Sequence, residues 1–288
     1  MNGNKKILMA GLPEAGKTTF VAALWNYLNN VSDDKAFSIG TLANNDIEYL
    51  NNISGKWASY DVVGRNTGDL SSVQNIKMNL LRTGGGEVTL EVPDIAGEFF
   101  RDLFEQRQWP LEYDTLLSEI TGVILFIRSS DENNTPKLIK QVQNLTQVAG
   151  ETETPVQDDQ NNMQQWNHNL TSSQIKLVEF LQFITYHKTS ILPIKVSVVI
   201  SQWDVIMKTL PDYTPEKWLA HHLPLLNQYL CCNTDTFNSG YFGVSAQGGS
   251  YKDDIDELLS KNPMDRIMVK EGQSISNDIT KPIVWITG

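Results

Sequence analysis

Cysteine is nearly absent: Cys231 and Cys232 are the only two in 288 residues, and they are adjacent. Neighbouring cysteines rarely meet disulfide geometry, so a disulfide-stapled secreted scaffold is excluded and reduced thiols packed in or near a core are expected. Long apolar runs are missing too. No stretch approaches the roughly 20 residues that a membrane span needs. The run Ile7 to Ala10 after the polar Met1 to Lys6 is too short for a signal-peptide core, so a cytoplasmic protein is expected. Positive charge is scarce, with 23 Lys and Arg against 34 Asp and Glu and a net charge of −11. That balance argues against a broad basic face, and no direct nucleic-acid binding is expected. The four histidines share no metal-ligand spacing with the cysteines, so no zinc site is assigned.

What is present describes an α/β chain. The length favours one enlarged domain over two, and the abundance of Asn and Gln suits a soluble globular protein with polar loops. Lys5 to Ala10 reads as a short buried strand, and Lys17 to Leu28 places Phe20, Val21, Leu24 and Leu28 at helical spacing. The stretch from Asn29 to Val73 lacks steady periodicity and reads as part helix, part loop. Ile76, Met78 and Leu80 alternate with Lys77 and Asn79, Gly84 to Gly86 supplies a turn, and Val88 to Val92 alternates again, which predicts a β-hairpin. Gly122 to Ile127, Lys195 to Ile200 and Tyr241 to Val244 read as buried strands of a mainly parallel sheet.

Helices are expected near Pro136 to Val148, over Ser173 to His187, and from Thr214 and Pro215 toward Tyr229 with a bend at Pro224. Residues 131–190 read as a helical and polar insertion, whose link from Ala149 to Asn169 is exposed or disordered. The acidic segment from Asp253 to Glu257 reads as a solvated helix face, and His221 and His222 as surface or packing residues. Residues 261–288 form a C-terminal extension, in which Pro282 to Ile286 is apolar enough to cover the sheet or form an interface.

Between the first strand and first helix lies Gly11-Leu12-Pro13-Glu14-Ala15-Gly16-Lys17-Thr18, which fits GxxxxGK[ST]. Such a loop curls backbone N–H groups around anionic oxygens, sets a helix N-terminus behind them and aims Lys17 at the outer phosphates of a nucleoside triphosphate. Thr18 is the candidate hydroxyl for Mg²⁺, and Thr19 extends the phosphate site. Asp94-Ile95-Ala96-Gly97-Glu98 follows the second hairpin strand, which lets the Asp94 carboxylate reach Mg²⁺ and the Gly97 N–H approach a γ-phosphate. A helix cap or turn is the other reading of that aspartate. Ser201-Gln202-Trp203-Asp204 follows the strand at Lys195 to Ile200, where Asp204 can accept hydrogen bonds from guanine N1 and the exocyclic amine. Adenine cannot pair that way. Gln202 or Trp203 would cover the ring. Ser245, Ala246 and Gln247 follow the last strand and resemble the Ser-Ala-Lys loop of GTPases, whose backbone N–H groups contact the guanine carbonyl.

Taken in order, these segments resemble the translation-factor-related class of P-loop GTPases, which includes the Ras-like proteins. Within that class, Pro93 to Glu98 with Arg101 and Arg107, and Ser201 to Asp204 later, resemble the bacterial double-GTPase families, thought to act in conflict or defence gene neighbourhoods. The resemblance implies a P-loop NTPase three-layer α/β sandwich: a Ras-like G domain with insertions and a mainly parallel six-stranded sheet bearing one antiparallel edge hairpin. It implies GTP or GDP with Mg²⁺ as ligands and a protein partner or effector. It also implies a switch threonine ahead of the hairpin; Thr67, 27 positions before Asp94, is the candidate, and a plain surface threonine is the other reading.

Two departures bear on catalysis: Glu98, and the pair Pro13 and Glu14, which occupy loop positions often held by small residues and are expected to alter the geometry above the γ-phosphate. Glu98 stands where Ras-like enzymes carry a water-orienting Gln, so hydrolysis is expected to be slow without a partner. If Glu98 points outward, Arg65, Arg101 or a partner's arginine would stabilise the transition state. Ser201 and Gln202 replace the Asn and Lys of the usual guanine motif. The expected catalytic set is Lys17, Thr67, Gly97 and Glu98. The expected function is a slowly hydrolysing GTP switch. Alternatives are a GTP-binding interaction module without significant hydrolysis and an ATPase or nucleotide kinase sharing the phosphate loop. Phe99, Phe100, Phe104 and Trp109 read as core packing or as a partner surface.

Overall fold

The computed structural model describes residues 4–30, 35–61, 76–92, 104, 114–130, 171–187, 192–250 and 253–288. Strand β1 (Lys5–Gly11) is central. Ile7, Leu8, Met9 and Ala10 are all buried, as a continuous apolar run covered on both faces must be. Helix α1 (Lys17–Asn29) follows, then β2 (Phe37–Ile39) and α2 (Asn44–Ala58). Strands β3 (Ile76–Arg82) and β4 (Glu87–Val92) form the expected hairpin, with Ile76 opposite Val92 and Leu80 opposite Val88.

Next come α3 (Asp114–Glu119), β5 (Ile120–Arg128), α4 (Ser173–His187), β6 (Ile194–Ser201) and α5 (Trp203–Thr209). They lead to α6 (Pro215–His222), α7 (Pro224–Cys232), β7 (Phe237–Ser245), α8 (Ile255–Ser260), β8 (Met268–Glu271), β9 (Ser274–Ser276) and α9 (Lys281–Thr287). Thr214 caps α6 by accepting a hydrogen bond from Lys217 N at 3.3 Å, with Pro215 at the first helical position. The helix expected to run on to Tyr229 instead breaks at Leu223, because a proline at 224 has no N–H to continue the ladder.

The strands form one sheet in the order β2-β3-β4-β1-β5-β6-β7-β8-β9. Its centre, β4-β1-β5-β6-β7, is parallel. The described residues thus hold nine strands where six were expected, and antiparallel pairs close both edges: β2 and β3 on one side, β8 and β9 on the other. The added strands are three or four residues long, too short to show a period of two. They are defined by the neighbour whose edge they satisfy.

Alternate residues divide the sheet between two cores. Ile7, Met9, Ile124 and Phe126 face α1, α2 and α9, whereas Leu8, Ala10, Leu125 and Ile127 face α4, α6 and α7. The C-terminal apolar segment covers the sheet as α9. It seats where the strands lack side chains: a Cβ on Gly122 would lie 2.4 Å from Ile286 Cγ2, and one on Gly240 2.6 Å from the Trp285 ring. Ser197 Oγ donates to Pro282 O at 2.7 Å in that buried interface. Cys231 and Cys232 are both exposed, contrary to the packing expected of them. They lie in the last turn of α7, beyond the buried Leu226 and Leu230. Among the described residues no helix is long and apolar enough to cross a membrane.

Candidate nucleotide site

The phosphate-loop residues lie between the C-terminal end of β1 and the N-terminus of α1, as their spacing requires. Gly16 has φ 87°, a left-handed conformation that leaves its Cα facing the end of β6. A Cβ there would come within 3.2 Å of Ser201 Cβ. At Gly11 a Cβ would fall 2.5 Å from Phe126 O, so no side chain fits where the loop leaves β1 beside β5. Glu14 is also left-handed, at φ 61°, and Ala15 N donates to Leu12 O at 3.2 Å to close the turn. Left-handed residues in so tight a turn are the backbone of an anion-binding nest. The Lys17 ammonium spans the loop, donating to Gly11 O at 2.6 Å and Leu12 O at 3.2 Å. Pro13 is exposed, Ala15 buried, and Thr18 and Thr19 half-buried in the first turn of α1.

The Glu14 carboxylate is held to one side by Arg128 at the end of β5, with Nη1 to Oε2 at 2.7 Å. Arg128 Nε donates to Ser130 Oγ at 3.1 Å, and Ser130 Oγ donates to Gln202 Oε1 at 2.7 Å. This chain of contacts joins the loop after β1 to the segment after β6. Neither Arg128 nor Ser130 was among the expected site residues. Their signal was position, since α/β sheets gather ligand groups beyond the carboxyl ends of their strands.

At the other end of the site, Gln202 adopts φ 57° between β6 and α5, which puts Asp204 in the first turn of that helix. Ser245 Oγ donates to Asp204 Oδ1 at 2.6 Å, and Gly248 N donates to Ser245 Oγ at 3.0 Å. The carboxylate and the loop after β7 are therefore one hydrogen-bonded unit. Trp203 is fully buried against Gly243, so it cannot cover a base; exposed Gln202 borders the cavity.

A cavity of about 380 Å³ lies between these two ends. Its lining brings together Glu14, Gly16 and Thr19 from the phosphate side with Gln202, Asp204, Ser245, Ala246 and Gln247 from the base side. Gly11, Pro13, Ala15, Lys17 and Thr18 are not in that lining. The edge-to-face pair Phe20 and Phe126, with ring centroids 5.1 Å apart, lines it as well. Thr67, Asp94, Gly97 and Glu98 lie outside the described residues, as do Arg65, Arg101, Arg107, Phe99, Phe100, Trp109 and the helix expected over 136–148. Phe104 is buried.

A nucleoside triphosphate suits these groups: a nest, an ammonium, and a carboxylate about one cavity away. For Mg²⁺ the described residues supply the Thr18 hydroxyl, and among them no group of three His, Cys, Asp or Glu side chains is placed to hold a metal. His222 stacks on Trp218 at 4.5 Å and His221 Nδ1 shares a hydrogen bond with Tyr213 Oη at 2.8 Å, both packing roles.

A sequence model of the family described as Double-GTPase 1 matches residues 8–286. No curated protein matches the chain. Among solved structures it is similar to the GTPase-like domain of Ski7 from S. cerevisiae bound to GTP, at 16% identity and a TM-score of 0.44, covering 86% of this chain and 44% of that one. The same domain bound to GDP and inorganic phosphate gives 15% identity and 0.44, covering 88% and 45%. The chain thus spans less than half the length of those neighbours.

Proposed function

The chain belongs to the Double-GTPase 1 family, and on that premise we propose that it is a GTP-binding molecular switch that hydrolyses GTP slowly without a partner. The observation that carries this reading is the single cavity joining Gly16 and Thr19 to Asp204 and Ser245. The backbone of Gly11 to Lys17 holds the phosphates, with Lys17 placed to leave its carbonyl partners for phosphate oxygens. Asp204 pairs with the guanine N1–H and amine, and the Ser245 to Gln247 backbone meets the guanine carbonyl. Bound Mg²⁺ would neutralise phosphate charge, held by Thr18 together with Asp94 and Thr67. Gly97 and Glu98 would face the γ-phosphate, and the negative charge of Glu98 at the water-orienting position is what makes unaided turnover slow.

In this reading residues 1–288 act as one enlarged, Ras-like G domain, with 131–190 inserted and 261–288 as its extension. The output is a protein partner, in the cytoplasm, and the family resemblance suggests bacterial conflict or defence as its setting. Two measurements test it. In competition binding, GTP displaces a fluorescent GDP analogue far better than ATP does, and Asp204→Asn removes that preference. A preference for ATP, or one untouched by Asp204→Asn, would sink the base assignment. In single-turnover hydrolysis, phosphate release is slow and abolished by Lys17→Ala. Tight GTP binding with no release at all would leave the interaction-module reading.

A further inference from the structure

Trp57 in α2 and Arg266 in the 3₁₀ turn Pro263–Arg266 belong to none of the nucleotide motifs, yet both bear on the loop after β7. Trp57 Nε1 donates to Ala246 O at 3.0 Å, across 189 positions of sequence. A trans peptide is planar, and its C=O and N–H point in opposite directions. Fixing Ala246 O toward α2 therefore turns the Gln247 N–H away from α2, and both residues line the cavity.

The indole that does this is itself fixed. It is fully buried, and the Arg266 guanidinium lies 4.7 Å from its ring centroid and 4.1 Å from that of Tyr60. Arg266 is 2% exposed, and its Nη2 lies 3.5 Å from Trp57 O and 3.4 Å from Ala58 O, against the end of the same helix. A buried arginine between two aromatic faces gains from both ring quadrupoles and locks their orientation. The turn also abuts the loop directly: a Cβ on Gly248 would fall 2.7 Å from Arg266 O. The loop is thus held from the cavity side by Asp204 through Ser245, and from behind by Trp57 and Arg266.

We propose that Trp57 and Arg266 are positioning residues for purine selectivity, which aim the Ala246–Gln247 peptide so that its N–H recognises an oxo group at the purine 6-position. This deepens the guanine reading above and rests on it. The chemistry separates the two edges of the base. The N1–H and 2-amine belong to Asp204, and the 6-oxo group belongs to the peptide that Trp57 orients.

The test uses the full chain and three probes: GTP, 6-thio-GTP, which keeps the N1–H and the amine but offers a poorer acceptor at position 6, and inosine triphosphate, which keeps the 6-oxo group but lacks the amine. Trp57→Phe keeps an aromatic ring at this buried position but removes the indole N–H donor together with the pyrrole half of the ring. It is expected to shrink the preference for GTP over 6-thio-GTP by about fivefold, the worth of one neutral hydrogen bond, while the preference for GTP over inosine triphosphate holds. Arg266→Lys, with Trp57 intact, moves the same ratio in the same direction and supplies the readout if Trp57→Phe does not fold. Equal weakening of all three nucleotides would show a merely structural role and overturn the inference, as would an unchanged GTP to 6-thio-GTP ratio. A parent chain with no preference for GTP over ATP would overturn the guanine reading itself, and this inference with it.

Discussion

Replacing Gly243 with alanine adds one methyl group to strand β7, two residues before Ser245, and its position follows from the backbone. The new Cβ would lie 2.1, 2.5 and 2.6 Å from three atoms of the Trp203 indole, where carbon atoms settle at about 3.5 to 4 Å. The ring cannot slide into solvent, because Trp203 is fully buried, and its Nε1 has no hydrogen-bond partner among the described residues, so packing alone places it. Relief requires α5 or β7 to move by more than about an ångström, at the upper end of the 1–3 kcal/mol typical of overpacked cores. We expect a loss of about 3 kcal/mol, and a fall in Tm of roughly 6 °C or more for a chain of this size. Urea midpoints and thermal scans followed by far-UV circular dichroism measure it. Trp203→Leu alone opens a cavity and also destabilises, but the double variant should be more stable than the sum of the two losses by at least about 1 kcal/mol, since each change relieves the other. A Gly243→Ala variant melting within about 2 °C of the parent, or strictly additive losses, would refute the packing argument. Because Asp204 follows Trp203 in α5, the same variant should also bind GTP more weakly.

Three further outcomes are expected. Lys208 and the Ser250 N–H hold the Asp254 carboxyl below its ordinary value of 3.8; a depressed folded value contributes stability above the ordinary value and loses it as pH falls through the depressed one. Urea midpoints should therefore hold steady down to about pH 4 and drop below it, and Asp254→Asn, compared at each pH, should flatten part of that acid limb. Ile286→Ala removes a buried side chain seated over Gly122 and should cost about 2–5 kcal/mol by urea denaturation. Thr214→Ala removes the cap of α6 and should cost about 1 kcal/mol in the same assay, with Thr214→Ser restoring most of it.

The parts of the fold that could be read from residue order were those whose cause is local. A glycine-bounded loop between a four-residue apolar run and a helical repeat is recognisable without a partner, as is a hairpin whose alternation flanks Gly84 to Gly86. The buried strands at Gly122 to Ile127 and Lys195 to Ile200 also announce themselves, because a central parallel strand is apolar on both faces. Asp204 and Ser245 were found through their place after such strands, and the structure joins them with one 2.6 Å hydrogen bond.

The rest depended on distance through space. β2, β8 and β9 are too short to carry a pattern, and together, the last two from the C-terminal extension, they make the sheet nine strands wide. Trp203 and Gln202 were equal candidates to lie over a base until Gly243, forty positions on, drew the indole into the core. Arg128 meets Glu14 only because β5 ends beside the loop after β1. Sequence by itself determined the phosphate loop and the order of the segments that follow it, since backbone conformation and burial period are written in neighbouring residues. Only tertiary structure decided how the loop after β7 is held, because the groups that hold it, Trp57 and Arg266, are brought to Ala246 and Gly248 by packing between α2 and the tail.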